Sequence, residues 1–258
     1  MFNSLQKIVS SLIAILSGGA LFLLFKFPNR LFFLIICIVW VALLLLCEWY
    51  LRRIRQSKQT ILQVLFLTIS SFVSLMSIVE WNFLVWPFAL FLAGVVFVLF
   101  QSIAGTDENL ISIQQKPYRR IMVLILSFDA YALLATIYAL SLFFMGIPFW
   151  LLTIVGGAVF GAISFMIWRM YFQLQSPQGI VWSFLIAFMM IELIWVMHFL
   201  PFGYLVSSFL VVWIWYIVQL LIRFHFNPRD IVWRKQILFL ASNVILYVIL
   251  MVFFARWV

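Results

Sequence analysis

Two acidic residues lie inside long apolar stretches of the 258-residue sequence, where a carboxyl group is costly to place. Asp129 and Glu192 follow the starts of their apolar segments by eight and twelve residues, or about 12 Å and 18 Å along a helix. A carboxylate at the centre of a membrane helix costs about 2.5–3.5 kcal/mol to insert. We therefore expect both groups to face a bundle interior or a wet cavity, and to favour the neutral form there.

The chemistry that two such carboxyl groups could perform together is proton transfer, provided that they meet in one site. The structural alternative is that each is protonated and hydrogen-bonded to a neighbouring helix. Asp129 shares its helical face with a small, mildly polar stripe that includes Thr136. The face of Glu192 is bulky and apolar, so its carboxyl group needs a partner from another helix. The polar residues considered as partners are Asn243, Tyr247, Gln219, Thr136 and His198.

Other chemistry has little support in the sequence. His198 lies six residues after Glu192, about 240° around the helix, so we expect it at the outer membrane interface. The other histidine, His225, falls at the opposite surface, which excludes a haem held by both. Zinc-protease, serine-hydrolase, nucleotide-binding and calcium-binding motifs are missing from the sequence, as is a lysine deep in an apolar segment. We therefore predict no catalytic residue, no metal site and no cofactor.

Composition indicates which elements position these residues. The chain is 67% hydrophobic and only 9% charged, too apolar to cover a water-facing surface. Runs of about 20 apolar residues predict transmembrane helices, whereas a membrane barrel would need strict alternation. We predict a single all-α polytopic domain, 1–258, with nine spans arranged as four hairpins and a final helix. The spans are 8–25, 31–51, 60–79, 83–101, 121–144, 148–172, 180–199, 204–224 and 237–256.

Charge predicts the orientation of these spans. Of the 16 lysines and arginines, 13 fall on one side of the predicted topology. The other three are Lys26, Arg30 and Arg256. Because positive loops stay in the cytoplasm, we predict a multi-pass protein of the cytoplasmic membrane, with its N-terminus inside and its C-terminus outside. The net charge is +9, and we expect the basic residues to contact anionic lipid headgroups and not nucleic acid. The residues assigned to headgroup contact are Arg52, Arg53, Arg55, Lys58, Arg229, Arg234 and Lys235.

Small residues predict helix packing. The stretch GGAVFGA at 156–162 places Gly157 four residues before Gly161 and Ala158 four residues before Ala162. Such pairs let two membrane helices approach closely, within one chain or in a homo-oligomer. The first apolar segment continues to Phe25, beyond the length of a signal-peptide core, so we expect it to be retained.

The leading functional hypothesis is a non-enzymatic integral membrane protein that serves binding, assembly or membrane organisation, with a membrane-protein partner or a second copy. It depends on the scarcity of polar groups inside the apolar segments and on 30 phenylalanines. The alternative is a small proton-coupled carrier that uses Asp129 and Glu192. A more remote alternative is an intramembrane enzyme that modifies lipids.

Overall fold

The computed structural model describes residues 2–26, 34–36, 38–42, 59–79, 82–104, 116–144, 146–171, 176–226 and 233–254. Within these ranges the chain forms eight long α-helices and no strand, which confirms the all-α prediction for this part of the chain. The helices are α1 (Phe2–Lys26), α2 (Gln59–Ile78), α3 (Val85–Ala104), α4 (Lys116–Phe143), α5 (Phe149–Tyr171), α6 (Ser176–His198), α7 (Tyr204–Phe226) and α8 (Trp233–Phe254).

Each helix overlaps one predicted segment along most of its length. The predicted segment 31–51 has no such counterpart. Only residues 34–36 and 38–42 of it are described, both as helix. Among the described residues, four helices are long and apolar enough to cross a membrane, and they indicate a membrane location. Their apolar stretches are Arg120–Phe143, Phe149–Met170, Gln178–His198 and Tyr204–Ile222. The apolar stretches of α1, α2, α3 and α8 are shorter.

Proline marks several helix starts. Pro117 and Pro177 are the second residues of α4 and α6, and Pro148 directly precedes α5. The first N–H groups of a helix have no partner within it, so proline costs little there. The Pro148 carbonyl accepts a 3.1 Å bond from the N–H of Leu151, and the Gly203 carbonyl accepts a 3.0 Å bond from that of Ser207. Turn residues therefore define where α5 and α7 begin.

The chain divides into two compact units, Met1–Asp129 and Ala130–Val258. In the first unit, α1 packs closely on α3. A Cβ atom on Gly18 would lie only 2.7 Å from the carbonyl oxygen of Ala89 and 3.0 Å from the Cβ atom of Ala93. Only glycine permits this approach, which is how membrane helices commonly pack. The buried side of α1 is formed by Ser10, Ala14, Ser17 and Leu21.

In the second unit, α5 packs closely on α6. A Cβ atom on Gly161 would lie 2.9 Å from the carbonyl oxygen of Ser183, and one on Gly157 would lie 2.6 Å from that of Ala187. The Ser183 hydroxyl donates a 2.6 Å hydrogen bond to the Gly161 carbonyl across the same contact. Tyr138 of α4 donates a 2.9 Å hydrogen bond to a carbonyl of α6, further along that helix. One face of α6 is therefore fixed by packing.

Candidate functional site

Asp129 lies in a closed polar cluster of the first unit. Its carboxyl group is fully buried, as are the side chains of Thr68 and Ser71 on α2. The Thr68 hydroxyl donates to Asp129 Oδ2 at 2.8 Å, and the Ser71 Oγ lies 2.6 Å from Asp129 Oδ1. Thr68 and Ser71 are three residues apart, so they occupy one face of α2. The cluster links α2 to α4.

Counting hydrogens in this cluster favours a protonated carboxyl group. The Ser71 Oγ also lies 2.8 Å from the carbonyl oxygen of Thr68, and a serine hydroxyl carries one hydrogen. If Asp129 is protonated at Oδ1, it donates to Ser71, Ser71 donates to the Thr68 carbonyl, and Thr68 donates to Oδ2. Each of the three contacts then has its own hydrogen. An ionised carboxylate would leave Ser71 with two acceptors for one hydrogen.

Glu192 has the opposite surroundings, and this corrects the expectation that it faces a bundle interior. Its side chain is exposed at the surface of the protein. The buried face of α6 contains Met190 and Ile194, both fully buried. Glu192 is two residues from each of them, or about 200° around the helix. Packing of α6 against its neighbours therefore directs Glu192 outwards.

The outward face of α6 is bulky, apolar and uncovered. Only 22% of the apolar stretch of α6 is buried in the protein, against 56% for α4, so α6 is the most exposed of the four membrane helices. We call this surface the Glu192 face. Within the described residues, no hydrogen bond or ion pair reaches Glu192 itself. The large apolar side chains around it are Phe184, Leu185, Phe188, Trp195, Val196 and Phe199, which are 41–73% exposed.

The other polar residues proposed as partners bond elsewhere in the second unit. Thr136 donates to the carbonyl of its own helix at Ala132, 2.8 Å away. Asn243 accepts a 3.0 Å hydrogen bond from the indole of Trp213, whose ring also contacts Tyr247. The Gln219 amide donates to Ser164, and its buried Oε1 has no partner in the described part of the chain. The exposed His198 ring stacks on Phe149 at 3.8 Å.

The two predicted small-residue pairs differ in position. Gly157 and Gly161 lie directly against α6, which makes this contact internal to the chain. Ala158 and Ala162 are exposed on α5. Each alanine follows its glycine by one residue, and one residue is a rotation of about 100° around the helix. This rotation moves the alanines off the packed face.

Most residues assigned to lipid headgroups lie outside the described residues: Arg52, Arg53, Arg55, Lys58 and Arg229. The backbone of Arg234 and Lys235 belongs to the first turn of α8. Among the described residues, no group of three or more histidine, cysteine, aspartate or glutamate side chains could hold a metal ion.

Sequence reasoning missed the actual partners of Asp129. Serine and threonine are common in membrane helices, where they satisfy a carbonyl of their own helix, so neither residue attracts notice by type. The available signal was the spacing of Thr68 and Ser71, which puts two hydroxyl groups on one face of an otherwise apolar helix. Similarly, Gly179, Ser183 and Ala187 recur every four residues and mark the packed face of α6.

No family model, no curated protein and no solved structure matches this chain.

Proposed function

We propose that the protein is a non-enzymatic component of a membrane-protein assembly and that the Glu192 face is its docking surface. The supporting observation is an exposed carboxyl group within the apolar stretch of the most exposed of the four described membrane helices. In contact with lipid, such a group carries an insertion cost that reaches about 2.5–3.5 kcal/mol at the helix centre. A partner helix that supplies a hydrogen-bond donor at the same depth removes much of that cost. The surrounding aromatic side chains supply the contact area.

Charge complementarity favours a different protein as the partner over a second copy. Glu192 lies about 21 Å from Gln178 and about 9 Å from His198 along α6. In the sequence, every lysine and arginine lies in a predicted loop or within one helical turn of a segment end. A second copy therefore offers no basic residue at the depth of Glu192. We infer a partner helix with a lysine or arginine within the bilayer.

Affinity purification in a mild detergent tests this proposal. We expect one membrane protein to co-purify with the wild-type chain in a fixed ratio. The substitution Glu192→Leu should lower that ratio by about tenfold, which corresponds to about 1.4 kcal/mol of lost interaction. Phe188→Ala should also lower it, because Phe188 is 65% exposed one turn from Glu192. The matched control is Phe253→Ala on α8, where the side chain is 80% exposed and remote in sequence.

Two results would contradict the proposal. In the first, the wild-type chain is recovered repeatedly without another membrane protein. In the second, Glu192→Leu and Phe253→Ala recover the partner equally well. If only copies of this chain co-purify, and they depend on Glu192, the inference of a different partner is wrong.

A proton-coupled carrier is the second candidate, supported by the hydrogen count around Asp129. The exposed Glu192 does not support the carrier, because a shared proton site needs both carboxyl groups to meet. In proteoliposomes a carrier would show a pH-dependent flux that Asp129→Asn abolishes while the protein remains folded. A flux unchanged by that substitution would exclude Asp129 as the proton site.

For the topology we propose nine spans in four hairpins and a final helix, in the cytoplasmic membrane, with the N-terminus inside. The charge asymmetry of the loops supports this orientation. It predicts that a C-terminal alkaline phosphatase fusion is active and that a C-terminal fluorescent-protein fusion is dark. The opposite pair of results would place the C-terminus in the cytoplasm and remove one span from the count.

A further inference from the structure

A lateral groove in the first unit has the dimensions of a lipid chain. It lies on α2, α3 and α4, has a volume of about 390 Å³ and is lined only by apolar residues. The α4 residues along it run from Ile121 to Phe128. Its side is open, since Leu90 and Leu124 in its wall are 68% and 65% exposed. We call it the α3–α4 groove.

One end of the α3–α4 groove is closed by aromatic rings. Phe72, Phe91 and Phe128 form a triangle with ring centroids 5.0–5.6 Å apart. Phe128 directly precedes the buried Asp129, so this closed end lies at the depth of the polar cluster. A chain that enters the groove from the other end therefore stops at the aromatic triangle.

The open end lies near a positive charge. Arg120 is exposed and stands one helical turn before Leu124, on the side of α4 that lines the groove. The first turn of α4 contains no acidic residue. The groove is thus apolar along its length and cationic at its entrance, a pattern that complements an anionic amphiphile.

The length of the groove, its apolar lining and the arginine at its entrance fit one chain of an anionic lipid. From Arg120 to Phe128 the distance along α4 is about 12 Å, close to the roughly 15 Å of hydrocarbon in one leaflet. We propose that the α3–α4 groove binds one acyl chain of an anionic phospholipid, whose headgroup phosphate contacts Arg120.

Photo-labelling of the purified full chain tests the groove. The probe is phosphatidylglycerol with a diazirine on its acyl chain, and labelled peptides are mapped by mass spectrometry. The filling variant is Gly94→Leu, because Gly94 lines the groove and a Cβ atom there meets nothing within 4 Å. The matched control is Gly19→Leu on α1, where the glycine is also exposed with open space around it.

We expect the wild-type chain and Gly19→Leu to be labelled on α3 and α4, and Gly94→Leu to lose about fivefold or more of that labelling. Equal labelling of the two leucine variants would overturn the proposal. If Gly94→Leu does not elute as a folded protein, Val98→Trp fills the same groove from a side chain that is 38% exposed. Cross-links from the groove to another polypeptide would identify a protein occupant and contradict the lipid assignment.

The headgroup contact has its own test. We expect Arg120→Gln to lower the preference for phosphatidylglycerol over the matching phosphatidylcholine probe by about fivefold, the effect of one basic residue near an anionic lipid. The control is Arg169→Gln, which removes an exposed arginine in the last turn of α5. An unchanged preference in Arg120→Gln, or an equal loss in Arg169→Gln, would contradict a phosphate contact at Arg120.

Discussion

The two carboxyl groups inside apolar helices have opposite surroundings. Asp129 is fully buried and contacts two hydroxyl groups of α2, whereas Glu192 is exposed on a face of large apolar side chains. A carboxyl group satisfied inside its own unit stabilises that unit. A carboxyl group left exposed in a membrane helix makes no such contact, and a partner that supplies a hydrogen-bond donor would lower its cost in lipid. The first therefore belongs to the fold, and we propose that the second belongs to an interaction.

The largest effect is expected from Asp129→Leu. The substitution removes both side-chain contacts and leaves the fully buried hydroxyl groups of Thr68 and Ser71 against an apolar side chain. We expect a loss of about 1–3 kcal/mol in the free energy of unfolding. It can be measured by thermal or denaturant unfolding in detergent. An unchanged unfolding transition would mean that the cluster does not hold α2 against α4.

A smaller effect is expected from removing one hydroxyl group at a time. Thr68→Val and Ser71→Ala should each destabilise the protein by about 0.5–1.5 kcal/mol, because each takes one partner from Asp129. The control is Ser70→Ala, which removes a hydroxyl that donates to the carbonyl of Leu67 in the same helix. A double-mutant cycle between Thr68→Val and Asp129→Leu should show coupling, and strictly additive losses would argue against a shared network.

Asp129→Asn should have a still smaller effect and tests the protonation of the cluster. The NH2 group of an asparagine has two hydrogens, one of which can replace the carboxyl hydrogen towards Ser71, while its amide oxygen accepts from Thr68. We expect the free energy of unfolding to stay within about 0.5 kcal/mol of wild type, since every contact keeps a donor and an acceptor. A loss as large as that of Asp129→Leu would indicate that the native group is the carboxylate.

The smallest effect on stability is expected at Glu192. Glu192→Leu removes an exposed group without a partner in the described structure, so the free energy of unfolding should change by less than about 0.5 kcal/mol. The same unfolding assay compares it directly with Asp129→Leu. A destabilisation as large as at Asp129 would end the distinction between the two carboxyl groups.

The sequence predicts the helices well and their rotation poorly. Apolar length and proline positions are enough to place α5 and α7, because a long apolar run flanked by turn residues has few other structures in a membrane. The side that each helix buries is harder to predict, since lipid and helix neighbours are equally apolar. Glu192 shows the difficulty. Its depth in α6 follows from counting residues, but its exposure follows from packing against α5.

Small residues that recur every four positions indicate which side of a helix is buried. The Gly157 and Gly161 pair indicates a close contact from sequence alone, and its partner stripe on α6 has the same four-residue spacing. Neither motif names its partner helix, because small-residue stripes occur on several segments. The spacing of Thr68 and Ser71 likewise indicates a polar face on one helix but does not identify Asp129 as its partner, since a hydroxyl group on any helix could have satisfied the carboxyl group.

Site-specific photo-cross-linking in intact membranes tests the central claim most directly. A photoreactive amino acid is placed at Phe188, which is 65% exposed on the Glu192 face, or at Ile15, which is 70% exposed on α1. We predict that the probe at position 188 cross-links to one other membrane protein, that Glu192→Leu abolishes this product, and that the probe at position 15 does not form it. A probe at position 188 that labels only lipid, in wild type and Glu192→Leu alike, would contradict the account.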